Sequence, residues 1–322
     1  MQRIWEVTRR WAELTLLVVG DRCRDIWVPA ARRESDETYT LTIEPKLSSF
    51  SSGMAGLVTV NVDSLGGRSV LACGPKEPTR TRLVIKTPEG ERCVGRLDEN
   101  PDPVNDLDEE RHLMNRVKQI IAGGGCQGVI VADHGYGTCT PSVLATTIHT
   151  AKMKGIPVLV DPSLRTQWEH YEGCTAIKPN HAEYMSGSRL WLASIRPPER
   201  PIVVHTEGQR GATVIMPDEE PVHTGAIFVE NPEPLGCGDV VAAAIGLSLA
   251  AGVRDPKLLA DIAVIAGAAG AAQKRTPRVT LGHFMAFAEL LTKERERVGE
   301  PQPSGTLPQN SGSAPESPSR VS

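Results

Sequence analysis

The residues whose types and spacing could do chemistry stand in "NPEPLGCGDVVAAAIGLSLAAG", residues 231–252, where Asp239 follows Gly236 and Gly238 and precedes a run of small apolar residues. Glycines let backbone N–H groups converge where a side chain would obstruct them, and a helix starting near Asp239 adds its positive dipole end. Together they make a cradle for an anion. A carboxylate repels an anion, so Asp239 needs a reason to be there. One such reason is to take the proton from a hydroxyl that attacks a bound phosphate. The other reading is that Asp239 merely caps the helix, and spacing alone leaves both open. The stretch lacks the third glycine of G-x-G-x-x-G, and no G-x-x-x-x-G-K-[ST] occurs in the chain, which argues against a dinucleotide fingerprint and a P-loop.

The elements that must position this stretch are legible as apolar runs. "TLLVVGD", "GVIVADHG" (128–135), "IPVLVDP" (156–162) and "RPIVVHTEG" (200–208) predict buried strands, and "TPSVLATTIHTAKMKG" (140–155) predicts a helix with a glycine stop. Ile4, Trp5, Val7, Trp11 and Leu14 recur at near-helical spacing. Strands alternating with helices predict a mainly parallel sheet covered on both faces. Its ligand belongs outside the carboxyl ends of the strands. Asp21, Asp133 and Asp161 stand at such ends, followed by Asn180 and Glu183. Each aspartate also suits a helix cap, and Asn180 with Glu183 would complete a capping box. Segments 38–48 and 79–97 alternate polar with apolar residues around a Pro-Glu-Gly turn, the pattern of a small antiparallel side sheet. Residues 297–322 are rich in Pro, Ser and Gly; they are expected to form a disordered tail after a domain spanning 1–296.

At 322 residues and a formal net charge of −4, the chain can bury a large core and has no electrostatic reason to bind nucleic acid. Seven cysteines without a C-x-x-C pair point to a reducing, cytoplasmic setting rather than a disulfide framework. No uninterrupted apolar run suits a signal peptide or a membrane span, so a soluble protein with a small-molecule ligand is expected. His134 and His205 stand at strand ends with no partner at ligand spacing, and no metal site is assigned to them.

The "LGCGD" stretch resembles the D-x-T-G-A-G-D signature of ribokinase-like (PfkB-type) carbohydrate kinases. Other motifs narrow the resemblance to the D-glycero-D-manno-heptose 7-phosphate kinase branch. "VVGDRCRDIW" resembles V-V-G-D-x-M-L-D-R-Y, "RESDE" (33–37) resembles R-I-S-P-E, and "SSGMAGLVTVNVDSLGG" (51–67) resembles R-P-G-G-A-A-N-V-A-x-N-I-A-S-L-G. "GRLDEN" (95–100) carries R-L-D, "VADHGYG" (131–137) is similar to S-D-Y-x-K-G, and residues 157–184 follow the family through Y-x-G-A-T to P-N-x-x-E. The likeness runs from about residue 16 to residue 290.

The resemblance implies a Rossmann-like three-layer α/β/α sandwich with a small β-sheet lid, whose strands would lie within 38–50 and 79–97. It implies an ATP- and Mg²⁺-dependent phosphotransferase acting on a sugar or sugar phosphate, heptose 7-phosphate above all, with the lid as a candidate homodimer surface. By resemblance Asp239 is the general base, and the amides of Gly236, Cys237 and Gly238 form the anion hole. Asp25 and Gly53 match sugar-contacting positions, and Arg82 and Arg96 on the lid suit a sugar phosphate. Asn180 and Glu183 match the element that organises Mg²⁺ through water, and Thr206 and Gly211 fall in the nucleotide loop. Gly53 could equally serve a tight turn, and Arg82 and Arg96 could be solvated strand charges.

The chain also departs from the family. Met54 and Leu57 replace the second glycine and the asparagine of G-G-A-A-N, Glu233 and Leu235 replace the signature's Asp and Thr, and Tyr136 and Ser163 replace two lysines. Arg165 is a candidate to supply one of the lost charges. The chain is short between Cys73 and Pro78 and again between Gly187 and Pro201, so one sheet edge should be narrow. These losses motivate a second reading, a catalytically impaired relative that binds nucleotide or sugar and regulates a partner. A dinucleotide-dependent oxidoreductase is the third. With no H-x-G-H element in view, the chain reads as the kinase half of a bifunctional arrangement.

Overall fold

The computed structural model describes residues 1–33, 40–44, 46, 48–75, 77–88, 90–99 and 106–298. Most of the expected tail, residues 34–37 of "RESDE" and Glu89 of the expected turn lie outside the described residues. The chain opens with α1 (Gln2–Trp11) and β1 (Thr15–Gly20), then runs through β2 (Arg22–Arg33), β3 (Thr40–Ile43) and β4 (Ser49–Met54). It continues by α2 (Ala55–Ser64) to β5 (Arg68–Ala72), then to β6 (Thr79–Thr87) and β7 (Gly90–Glu99). Next come α3 (Leu107–Ala122), β8 (Gly128–Ala132), α4 (Pro141–Met153), β9 (Val158–Asp161) and β10 (Ala176–Ile177). The remainder is α5 (His181–Glu183), α6 (Arg189–Ser194), β11 (Ile202–Thr206), β12 (Ala212–Ile215), β13 (Val222–Thr224), α7 (Cys237–Ala250), α8 (Pro256–Ala271) and α9 (Leu281–Val298).

Among the described residues the main sheet has the order β13-β12-β11-β10-β9-β8-β1-β5. Pairing is parallel from β5 to β11 and antiparallel at β12 and β13. The buried runs divide their side chains by the two-residue strand period. Leu16, Val18, Ile130, Ala132 and Leu159 enter one core with residues of α1, α2, α7, α8 and α9. Leu17, Val19, Val129, Val131, Val158 and Val160 enter the other with residues of α3 and α4. The result is the three-layer α/β/α sandwich, with β5 and β13 at its two edges.

The small sheet has the order β3-β2-β6-β7, with β4 also paired to β2. β2 runs through "RCRDIWVPAARR", which has no clean alternation and holds Pro29, so periodicity does not announce it. It pairs antiparallel with β4 over its first half and with β3 over its second, and parallel with β6. The side sheet is therefore mixed rather than purely antiparallel.

The small residues of α7 let it lie close on the main sheet. A Cβ on Gly246 would stand 2.5 Å from Ile130 Cδ1, and one on Gly128 would stand 3.0 Å from Ala250 Cβ. A helix apolar all round must be buried all round, and α7 is covered by the sheet, α2 and α8. Gly246→Val should destabilise the fold by about 1–3 kcal/mol through overpacking against Ile130; denaturant unfolding of the variant checks this.

Candidate functional site

The parallel strands end at one rim, where Asp21 and Asp133 follow β1 and β8 and Asp161 is the last residue of β9. The Asp21 carboxylate accepts N–H bonds from His134 (3.1 Å), Tyr136 (2.9 Å) and Thr138 (2.9 Å), which shapes the loop after β8. Asp133 accepts from the Gly135 amide, the Thr166 hydroxyl and the Tyr171 hydroxyl. Both are saturated organisers of loops, and neither caps a helix; the cap of α4 is Thr140. Asp161 differs, because it forms a 2.9 Å ion pair with Lys178, itself only 3% exposed.

Asp239 comes to the same rim at the start of α7, buried, with its side chain 12% exposed. The turn before it needs glycine: Gly236 has φ 74°, and a Cβ there would meet Leu57 Cδ2 and Pro277 Cδ at 2.8 Å. A Cβ on Gly238 would stand 3.5 Å from Lys178 Nζ, so the ammonium faces the cradle. The Cys237 amide makes a long 3.4 Å bond to Pro234 O within the turn. Desolvation, then the charge of Asp161, push the Asp239 carboxyl up to about 8, with Lys178 and Arg80 opposing. His134 Nε2 lies 3.9 Å from Asp239 Oδ1 and is buried without a hydrogen-bond partner. Burial lowers the pKa of His134 and favours the neutral ring.

Asn180 and Glu183 form a capping box. The Glu183 amide donates to Asn180 Oδ1 at 3.0 Å, and the Asn180 amide donates to Glu183 Oε2 at 2.7 Å. Glu183 still feels the cluster: desolvation, then Asp161, push it up to about 7, against Lys178. The cap and the charged cluster are thus properties of one residue.

On the small sheet, Asp25 and Arg82 are both buried and joined by a 3.1 Å ion pair. Arg82 is not a solvated strand charge. Gly53 is not in a turn either; it lies in β4 opposite Cys23, where a Cβ would meet Asp25 Oδ2 at 2.5 Å. Arg96 is half exposed and paired with Asp98 at 2.9 Å. Thr206 bridges Asn180 at the end of β11. Gly211, with φ 105°, closes the following loop, where a Cβ would stand 2.0 Å from Thr224 O.

Two cations of the site escape a reading of the sequence alone. Lys178 directly precedes the Pro-Asn of the N-x-x-E element, a position the motif itself marks out. Arg80 stands two residues before Arg82 on β6, so the strand period puts both on one face. Arg80 donates to the Tyr136 hydroxyl at 3.1 Å, and its Nε is buried without a partner. Arg80 and Arg165 each lie over the Tyr136 ring, 5.3 and 5.4 Å from its centroid. The replaced lysines therefore do not leave the rim without positive charge.

No protein-family profile matches the chain. In sequence it is 29% identical over 278 residues to the bifunctional protein HldE of Bradyrhizobium diazoefficiens, covering 74% of this chain and 56% of that protein. It is 27% identical over 325 residues to HldE of a Caulobacter species, covering 88% and 64%. The chain thus spans less than two thirds of these relatives. In structure it matches phosphofructokinase-2 from Escherichia coli with a TM-score of 0.65 at 18% identity, covering 86% of this chain and 99% of that one. It matches Arabidopsis thaliana ribokinase, complexed with ribose and ATP, with a TM-score of 0.57 at 16% identity, covering 86% of this chain and 98% of that one.

The raised carboxyl of Asp239 has a consequence for folding. Between its unfolded value near 3.8 and its folded value near 8 the native state binds the extra proton, so stability falls as pH rises through this window. Asp239→Asn removes the penalty. It should raise Tm by about 2–6 °C at pH 8.5, and progressively less toward pH 5; thermal melts of both proteins across that range check the sign.

Proposed function

We propose that this chain, a ribokinase-like (PfkB-type) carbohydrate kinase in fold and ancestry, is an ATP-dependent phosphotransferase that phosphorylates a hydroxyl of a sugar phosphate, with heptose 7-phosphate the foremost candidate. The observation that carries the reading is Asp239, a desolvated carboxyl at a glycine-built helix start, beside the Lys178 ammonium and the neutral His134 ring. A cap needs no such burial.

The residues fit a nucleotide phosphate and a divalent cation. The unpartnered His134 Nε2 faces the place beside Asp239 where a phosphoryl oxygen would satisfy it. Asp161, Glu183 and Asp239 crowd three carboxyl groups around the buried Lys178, and burial with mutual repulsion raises Glu183 and Asp239 so that a bound cation would draw off their protons. Glu183, through water, and Asp161 would hold Mg²⁺; Thr206 and Gly211 would border the nucleotide. ATP supplies the transferable phosphoryl group, and the cation neutralises its oxygens.

The chain's own part is positioning and proton transfer. Asp239, deprotonated, accepts the proton of the acceptor hydroxyl as that oxygen attacks. Lys178 and the helix start face the negative oxygens of the transferring group. Asp25, held by Arg82, orients the acceptor from the small sheet, while the unpartnered Nε of Arg80 favours an acceptor that carries its own phosphate. The exposed Ile43, Phe50 and Leu97 on the small sheet support that surface as a homodimer contact. A second reading, binding without turnover, draws support from Leu57, which is buried against the Gly236 turn where the family presents a hydrogen-bonding amide.

Purified protein with ATP, Mg²⁺ and a panel of sugar phosphates should show turnover that falls by ~10²–10⁴-fold in Asp239→Asn. Its kcat/KM should rise about tenfold per pH unit below the Asp239 pKa, near 8, and level off above it, because the base must lose its proton first. Turnover no greater than that of Asp239→Asn on every acceptor, with ligand-induced thermal stabilisation retained, would replace this reading by the second.

A further inference from the structure

Away from Asp239, one ring nitrogen of His181, one of His205 and one carboxylate oxygen of Glu207 all lie within 4.8 Å of one another. They come from the first residue of α5, from β11 and from the residue after Thr206. Local spacing hides the trio, because only the parallel packing of β10 against β11 brings His181 beside His205. The rings of His181 and His205 are stacked at 5.5 Å and 18°, and Tyr184 stacks on His205 at 4.3 Å.

His205 is only 6% exposed, and its Nε2 is buried without a hydrogen-bond partner. An unsatisfied polar atom in such a place is destabilising; the other ring nitrogen, Nδ1, is the one that faces Glu207, 4.0 Å from its Oε1, where its lone pair would bind a metal ion. Glu207 is oriented in a way that suits the same ion, since the Thr213 hydroxyl donates to its Oε2 at 2.8 Å. Metal-binding carboxylates are oriented by such second partners. His223 Nδ1 lies 3.6 Å from the same oxygen and 2.9 Å from the Thr213 hydroxyl, whose one proton goes to Glu207, so Nδ1 carries the hydrogen and steadies the carboxylate from outside the trio. Arg210, 3.9 Å from Glu207 Oε1, is largely exposed and free to swing outward.

We propose that His181, His205 and Glu207 form a site for a zinc-class divalent cation, completed by water. Two imidazoles and a carboxylate suit Zn²⁺ or Co²⁺, whereas Mg²⁺ prefers oxygen ligands. Ligand atoms each ~2.1 Å from one tetrahedral ion lie about 3.4 Å apart, so from separations of up to 4.8 Å the exposed His181 side chain must close a gap of up to about 1.4 Å. The bound ion would tie the Asn180–Glu183 turn to the loop of Thr206 and Gly211. The site stands on these residues alone and does not depend on the kinase reading.

The test uses the full chain, freed of metal by chelation and titrated with Co²⁺ as an optical probe and Zn²⁺ by calorimetry. One equivalent should bind, with the intense absorption of four-coordinate Co²⁺ bleached by Zn²⁺ and unaffected by millimolar Mg²⁺. His181→Ala and Glu207→Gln should each weaken binding at least tenfold, and Thr213→Val on the order of 10–100-fold, while His149→Ala on α4 leaves it unchanged. Metal-free melts confirm that each variant is folded. Absence of stoichiometric binding, or binding equal in His181→Ala, Glu207→Gln and the parent chain, overturns the proposal.

Discussion

The structure turns on a charge imbalance at the carboxyl rim of the parallel sheet. Asp161, Glu183 and Asp239 share a desolvated region, and the buried ammonium among them is Lys178. Buried charge is strongly unfavourable unless paired, and Lys178 pairs directly with Asp161, at 2.9 Å. Asp239 and Glu183 respond by holding their protons more tightly than a solvated carboxyl does. Such a group is poorly suited to stabilising a fold and well suited to exchanging a proton near neutrality.

What keeps these groups together is close backbone approach. Gly20 lies so near the Ala132 carbonyl that a Cβ would stand 2.1 Å from its oxygen, which draws the ends of β1 and β8 into contact. Gly236 and Gly246 bring α7 down in the same way, the first beside Leu57 and Pro277, the second beside Ile130. Asn61 secures the flank, donating to the Leu57 and Pro277 carbonyls and accepting from the Val279 amide while fully buried. Small residues and one saturated amide thus fix the distance between the Asp239 helix and the sheet.

The parts legible in the sequence are those whose signal is local. β1, β8, β9, β11 and α4 are apparent because an apolar run or a helical period is contained within one element. The Asp239 turn is apparent because glycines at alternate positions restrict what the backbone there can be doing. β2 is not, since its three pairings, rather than its own pattern, make it a strand. Lys178 and Arg80 stay hidden for a related reason. Their importance lies in the carboxylates that other elements bring to them, and no spacing within β6 or after β10 reports that. The same holds for His181, His205 and Glu207.

The replaced motif residues acquire a meaning once the backbone is in view. Met54 stands where the family has glycine, yet it keeps φ 55° and ψ −134°, a conformation glycine adopts freely and methionine only under strain of about 1–3 kcal/mol. The strain persists because the neighbours over-determine it: Met54 pairs with Arg22 across β4 and β2, and the next amide, of Ala55, donates to Asp21 O at 2.8 Å. The turn therefore keeps a glycine-like shape around a methionine, and Leu57 presents an apolar side chain to the Gly236 turn. Positive charge has moved the other way. Tyr136 stands where a lysine is expected, but Arg80 and Arg165 lie against its ring, and Arg80 is electrostatically coupled to Asp239. A rim that presents the apolar Leu57 beside the Gly236 turn and sets Arg80 and Arg165 against Tyr136 suits a ligand held by its charge over one held by its hydroxyls.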